Sequence, residues 1–376
     1  MGGTSMKKRL ILLAILACLS LCGCSWLDGS YLSVKPHQGQ NSTAQSKDKS
    51  AANYAQLRAA LEEMVTAGTE SAVINVAQYR QDLVEEGIAN AVSFVTQRYP
   101  LGAWAVEKIN YEVGTGAGQP AISVNISYLH GRSEIRKIKN AEHMESATKL
   151  IADALEECSD SVVLLVKNYR AMDFVQIVDD YMKENPNVIM ELPQVAVGIY
   201  PEAGNNRILE VKFTYETSRD SLRQMQQQVR RVFASASLYI NSDATEAQKF
   251  DQLYTFLMER FDYEVQTSIT PAYSLLIHGV GDCEVFASVY AAMCRQAGLD
   301  CEVISGTKNG ESWYWNLICE NDVYYHVDLL HCSEIGRFER LTDAQMEGYV
   351  WDYSAYGTDS APVSQTIPEE TEKNPE

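Results

Sequence analysis

Ala272-Tyr-Ser-Leu-Leu-Ile-His-Gly-Val-Gly-Asp-Cys283-Glu-Val-Phe-Ala-Ser-Val-Tyr-Ala-Ala-Met-Cys-Arg-Gln-Ala-Gly298 is the stretch on which the fold of this chain turns. Gly279 and Gly281 let the backbone bend sharply, and Asp282 is suited to cap a helix whose first turn contains Cys283. Phe286, Val289, Met293 and Ala297 then recur on one face of that helix. A thiol at a helix N-terminus feels the positive end of the helix dipole, which favours thiolate and therefore nucleophilicity. The same position also suits a buried or disulfide-bonded cysteine, and the residues alone leave the two readings level. Upstream, residues 247–261 read as a helix with Phe250, Leu253, Tyr254, Leu257 and Phe261 on one side, followed by a strand-like Tyr263-Glu-Val.

Downstream lie Ala297-Gly-Leu299, Val303-Ile-Ser-Gly306, Trp315-Asn316 and Tyr325-His-Val-Asp328. With residues 279–287, these segments resemble the transglutaminase-like (bacterial transglutaminase/protease-like) superfamily, in its Cys-Glu-x-Tyr/Phe-Ala branch, over about residues 245–332. The resemblance implies a papain-like α+β domain over residues 236–356. It also implies papain-like chemistry, in which a cysteine attacks a carbonyl, a histidine carries the proton and an aspartate orients the imidazole. By position the nucleophile is Cys283 and the orienting acid is Asp328.

The base does not carry over. The family places its histidine two residues before the Trp-Asn pair, where this chain has Trp313, and the family's Thr-Trp after the aspartate is Leu330-His331 here. General-base assistance is worth ~10² to 10⁴ in rate, so the change bears on whether the domain is an enzyme. On a strand, His326 would share a face with Asp328 and lie diagonally from Trp313, making it the substitute base the sequence offers. His331 would face the other way if the strand continued, and His278 precedes the cysteine loop. Asp328 is expected within reach of the Trp313 indole, which can donate a hydrogen bond but cannot accept a proton. Two functions follow as alternatives. One is a non-catalytic cleft that binds a peptide, protein or cell-wall ligand or serves as a scaffold. The other is an active cysteine acyl transferase or peptidase using Cys283 with His326 or His331.

The middle of the chain repeats itself. Glu70-Ser-Ala-Val-Ile-Asn-Val-Ala-Gln-Tyr79-Arg80 matches Asp160-Ser-Val-Val-Leu-Leu-Val-Lys-Asn-Tyr169-Arg170 in its acid, serine, alternating aliphatics and terminal Tyr-Arg. Helices are expected before each, over residues 54–66 and 147–157, and after each, over 83–97 and 174–183. Two strands follow in each case, 107–113 with 121–128 and 194–200 with 208–215. The expected architecture is α+β, with two tandem α-β-α-β-β modules over 51–142 and 143–235 ahead of the C-terminal domain. His130 and His143 stand isolated, and Tyr79 and Tyr169 read more simply as strand-end packing than as a repeated binding feature.

At the N-terminus, Lys7, Lys8 and Arg9 precede an apolar run over residues 10–21 that is too short to span a bilayer and closes on Leu21-Cys22-Gly23-Cys24. This resembles a bacterial lipoprotein signal, which implies cleavage after residue 23, lipidation of Cys24 and a place on the extracytoplasmic face of the cell membrane. An ordinary secretory signal or a short uncleaved anchor is the alternative. Residues 24–50 read as a flexible tether, and residues 357–376, with Pro362, Pro368 and Pro375 among acids, as a disordered tail. A net charge of -19 argues against nucleic acid as a partner. Beyond the signal and Cys24, six cysteines remain, at 158, 283, 294, 301, 319 and 332, without CxxC or Cys/His metal spacing, so no cofactor or metal is expected.

Overall fold

The computed structural model describes residues 49–265 and 268–356. Cys24 with its signal, nearly all of the tether and the acidic tail lie outside the described residues. The described chain is α+β, with three four-stranded sheets and a two-stranded pair.

The first sheet is built from β1 (Lys49–Ser50), β2 (Ser71–Asn75), β3 (Val106–Gly116) and β4 (Gln119–Tyr128) in the order β1-β2-β4-β3. Helix α1 (Tyr54–Ala67) joins β1 to β2, while α2 (Val84–Gln97) and α3 (Pro100–Ala105) join β2 to β3. Asn53 caps α1 by accepting from the Gln56 N–H at 3.0 Å, and Leu57, Leu61 and Met64 bury its apolar stripe.

The second sheet comprises β5 (Lys139–His143), β6 (Ser161–Asn168), β7 (Gln194–Tyr200) and β8 (Arg207–Thr214) in the order β5-β6-β8-β7, with α4 (Met144–Glu156) and α5 (Phe174–Glu184) as connections. In each sheet the short first strand runs parallel to its neighbour and the other pairs are antiparallel. Each unit is therefore β-α-β-α-β-β, and the α-β-α-β-β expectation misses an edge strand in both. The cause is composition. Lys49-Ser50 and Lys139-Asn-Ala-Glu-His143 are short, polar edges of which only Ala141 is buried, so no alternating apolar pattern announces them. The expected boundaries move accordingly, because Lys49 and Ser50 belong to a sheet and β5 belongs to the second unit from Lys139 onward.

The two Tyr-Arg pairs have structural roles that differ, and neither lies within a strand, since β2 ends at Asn75 and β6 at Asn168. Tyr79 is buried against α2, where a Cβ on Gly87 would lie 2.3 Å from its hydroxyl. Tyr169 instead lies under the Arg207 guanidinium at 4.5 Å. His130 stacks flat on Trp104 at 4.1 Å, which accounts for that isolated histidine as packing.

The C-terminal body begins earlier than residue 236. Helix α6 (Arg219–Tyr239), capped by Ser218, puts Leu222, Val229, Phe233 and Ala236 into the same core as α7 (Glu246–Met258) and α8 (Cys283–Gln296). Its first turns also grip the second unit. Arg219 and Arg223 donate to the Glu157 carbonyl, and Gln226 donates to the carbonyls of Glu156 and Val188. A boundary at 235/236 therefore cuts a continuous helix. Beyond α7, β9 (Asp262–Tyr263) pairs in parallel with β10 (Val280–Gly281). The third sheet runs β13 (Val323–Val327), β12 (Glu311–Glu320), β11 (Cys301–Lys308), β14 (Tyr349–Trp351), all antiparallel. The Asn316 side chain donates to the Ala287 carbonyl of α8 at 2.9 Å, fixing helix against sheet.

Candidate active-site cleft

Cys283 opens α8 as the local sequence requires. Gly279 adopts φ 89, and a Cβ on Gly281 would lie 2.5 Å from Val285, so only glycine permits this entry to the helix. Asp282 then caps the helix, accepting from the Val285 N–H at 3.0 Å. The sulfur is half-buried. Burial pushes its pKa up and outweighs the backbone hydrogen bond from Tyr314, which pulls it down, while the carboxylates of Asp282 and Asp328 add to the upward push. The group is thus held as a thiol, and the helix dipole does not decide its state.

Asp328 follows β13 and caps α9 (Leu329–Ile335). Its Oδ1 accepts the Leu330 and His331 N–H groups, each at 3.1 Å. Its Oδ2 accepts from Lys308 Nζ at 2.8 Å, Trp313 Nε1 at 2.9 Å and the Tyr349 hydroxyl at 2.6 Å. Burial alone would raise its pKa, but the Lys308 and Tyr349 hydrogen bonds outweigh that and hold it below the usual carboxylate range. Lys308 also lies over the Trp313 ring at 4.9 Å and the Tyr349 ring at 5.2 Å. Tyr263 packs against the Trp313 ring, tilted, with centroids 6.2 Å apart.

The histidines are elsewhere. His326 is fully buried. Trp315 Nε1 donates to its Nδ1 at 3.0 Å, which leaves the proton on Nε2, facing Asp343 Oδ1 at 2.8 Å. Burial lowers its pKa despite the Asp343 partner. The sequence expectation put His326 on the face of Asp328 and Trp313, but its ring is committed to a Trp315, Trp351 and Asp343 cluster. His331 lies on α9 rather than on a continuing strand, since the Asp328 cap starts a helix there. Its Nε2 is 3.4 Å from Glu339 and its Nδ1 4.0 Å from Glu334. His278 sits exposed, edge-on to Tyr273.

Lys308 and Tyr349 were not legible from the family pattern. Lys308 could have been found by counting. Asn309 and Gly310 both take positive φ in a two-residue hairpin turn, pairing Lys308 with Glu311 and Gly306 with Trp313. The two-residue side-chain period then puts Lys308 diagonally beside Trp313. Tyr349 arrives from a separate short strand and carried no such signal.

The order of cysteine helix, hairpin and aspartate is that of a known domain, and residues 235–352 match the family model described as "Transglutaminase-like superfamily". This part of the chain is a transglutaminase-like domain. Among solved structures, the chain is similar to a TGase crystal structure at 8% identity, covering 59% of this chain and 66% of that one, with a TM-score of 0.26. It is also similar to a candidate cysteine protease from Cytophaga hutchinsonii at 12% identity, covering 42% and 70% with a TM-score of 0.24. A candidate protease from Parabacteroides distasonis matches at 8% identity, covering 68% and 39% with a TM-score of 0.22. The chain thus spans just under two thirds of the TGase. No curated protein matches the chain. Within its transglutaminase-like domain, the groups gathered on the Asp328 carboxylate are an ammonium, an indole and a phenol.

Proposed function

We propose that the chain is a lipoprotein anchored in the cell envelope through Cys24, and that its transglutaminase-like domain is non-catalytic. The former acyl-transfer cleft then binds a peptide or wall-derived ligand, or serves as a scaffold. One observation carries the reading. Trp313 Nε1, where the family has its histidine, shares Asp328 Oδ2 with Lys308 and Tyr349. A charged lysine and an indole offer protons and accept none, so neither can take the proton of Cys283. The raised thiol of Cys283 fits a cleft without an activated nucleophile. His326, with both nitrogens engaged in the core, and His331, between two glutamates on α9, lend the catalytic alternative no support.

The test is turnover. Purified protein incubated with a glutamine-bearing peptide and a fluorescent primary amine, and separately with a peptide substrate mixture, is expected to show neither amine incorporation nor cleavage above background. Robust turnover that disappears in Cys283→Ala would overturn the reading and restore a cysteine acyl transferase or peptidase.

A further inference from the structure

The two β-α-β-α-β-β units differ on one sheet face. In each unit the inner face is core, with Ile74 opposite Ile122 in the first and Leu164 opposite Leu209 in the second, all four fully buried. On the other face the first unit pairs Val73 with Ser123 and Asn75 with Ala121, whereas the second pairs Val163 with Glu210 and Leu165 with Ile208. A sheet face that meets water carries polar side chains, and Asn75 obeys that rule where its counterpart Leu165 does not. Ile208 is sealed into the core of the first unit. Leu165 is only half-buried, and it lines a groove of about 1020 Å³ between the two units. That volume lies at the top of the range for small-ligand sites, ~300–1,000 Å³, and leaves room for a short peptide.

The charge in the groove runs against that of the chain. Arg98, at the C-terminal end of α2, and Arg136, just before β5, both line it and are exposed. Neither makes an ion pair or a side-chain hydrogen bond among the described residues. The one acid in the lining, Glu62, is paired with Arg58 at 3.1 Å, and that guanidinium lies over the Phe94 ring at 4.5 Å. Two uncompensated guanidiniums thus flank the groove in a protein whose net charge is -19. A guanidinium fork matches a carboxylate, and a local positive site offsets the general repulsion that so acidic a surface exerts on anions. Phe94 and Tyr99 supply aromatic wall, with the Tyr99 hydroxyl held 2.9 Å from that of Thr66. Asn140, Asn205 and Asn206 line the groove as carboxamides whose side chains make no hydrogen bond among the described residues. A carboxamide both donates and accepts, as pairing with a peptide main chain requires.

We propose that the groove between the two N-terminal units binds a short acidic peptide carrying two carboxylates and apolar side chains. The carboxylates accept from Arg98 and Arg136, the apolar side chains cover Leu165 and the Phe94 and Tyr99 rings, and the main chain pairs with the carboxamides. The site lies wholly outside residues 235–352, so it stands apart from the Cys283 cleft and from whatever that cleft does.

The probes are the blocked peptide acetyl-Glu-Leu-Phe-Glu-amide, its counterparts with Gln or Lys in place of both Glu, and glutarate, titrated calorimetrically into the full-length protein. The acidic peptide is expected to bind saturably, the Gln peptide about 10-fold more weakly and the Lys peptide not at all. Arg98→Gln and Arg136→Gln are each expected to loosen the acidic peptide by about 5-fold, and both positions are exposed, so the fold is retained. Leu165→Asn gives the second unit the residue of the first and is expected to loosen the acidic and Gln peptides alike, with thermal unfolding as the check on its fold. Absence of saturable binding, equal affinity for the acidic and Gln peptides, or unchanged affinity in both arginine variants overturns the proposal. Glutarate binding as tightly as the acidic peptide overturns it too, since the groove would then hold a bare anion. So does peptide binding that is lost when Cys283 is blocked by a maleimide and unaffected by the arginine variants, because the ligand would then sit in the cleft.

Discussion

Trp313 Nε1 donates to Asp328 Oδ2 across 2.9 Å, onto the oxygen that also accepts Lys308 and Tyr349. An aspartate that orients an imidazole needs one oxygen free for the imidazole N–H. Here that oxygen carries three donors, and the other carries two backbone N–H groups of α9. The carboxylate is a structural hub, and the consequences can be measured at the thiol, at the ion pair and in the acid limb.

Cys283 is expected to react with iodoacetamide at pH 7 more slowly than a free thiol, with its rate rising only at a pH above the ordinary cysteine range. The sign follows from burial reinforced by two carboxylates. Trp313→His places an acceptor nitrogen beside Asp328 and is expected to raise the pH 7 rate by about 10-fold. A rate in the variant equal to wild type would mean that residue 313 does not bear on the sulfur.

Lys308→Met should destabilise the fold by about 3 kcal/mol, because it strands a carboxylate that is 1% exposed. The double variant Lys308→Met with Asp328→Asn should recover part of that loss, since no buried charge remains unpaired. Urea denaturation of the two variants checks both the loss and its recovery.

Stability should fall in two steps on acidification. His326 is neutral in the fold because burial holds its pKa below 6.5, so its contribution is present above 6.5 and is lost as pH falls through the folded value, when the unfolded chain binds the extra proton. Asp328 has its pKa held below 3.8, so its contribution persists to lower pH and is lost beneath 3.8. His326→Leu should remove the upper step, at a cost of about 1–3 kcal/mol from the Trp315 N–H left without its acceptor. Chemical denaturation across pH 7 to 3 reads both steps. An unchanged slope between pH 6.5 and 5 in the variant would assign the upper step to another group.

Cys24→Ala is expected to leave the membrane fraction or to accumulate as uncleaved precursor. The expectation rests on the basic start, the short apolar run and the cysteine box of residues 7–24. Fractionation with immunoblotting checks it, and normal processing with unchanged location would contradict lipidation at this residue.

Much of the fold was legible where a local rule and the global fold agreed. Asp282, the glycines around it and the apolar face from Phe286 all pointed to a helix start at Cys283, and the helix starts there. The Trp313–Asp328 contact followed from the resemblance, which puts residue 313 where the family's histidine meets its acid, and its one-way donation followed from the chemistry of an indole. What escaped depended on partners remote in sequence. Tyr349 reaches Asp328 from a three-residue strand, and the edge strands at Lys49 and Lys139 owe their pairing to neighbours rather than to any pattern of their own. His326 matched its family position, but Asp343 and Trp315, which fix its ring, could not be placed around it without the third sheet. The start of α6 was missed because its polar face obscures a stripe spread over Leu222, Val229 and Phe233.

That helix has a calorimetric consequence. Family matching begins at residue 235, well inside α6, whose early residues clasp the carbonyls of Glu156, Glu157 and Val188 while its later ones fill the C-terminal core. The heritable unit and the melting unit therefore do not share a border. Heated, residues 139–356 should unfold in one cooperative heat-absorption peak, and an excised fragment starting at 235 should melt far lower, having left most of its own keystone helix behind.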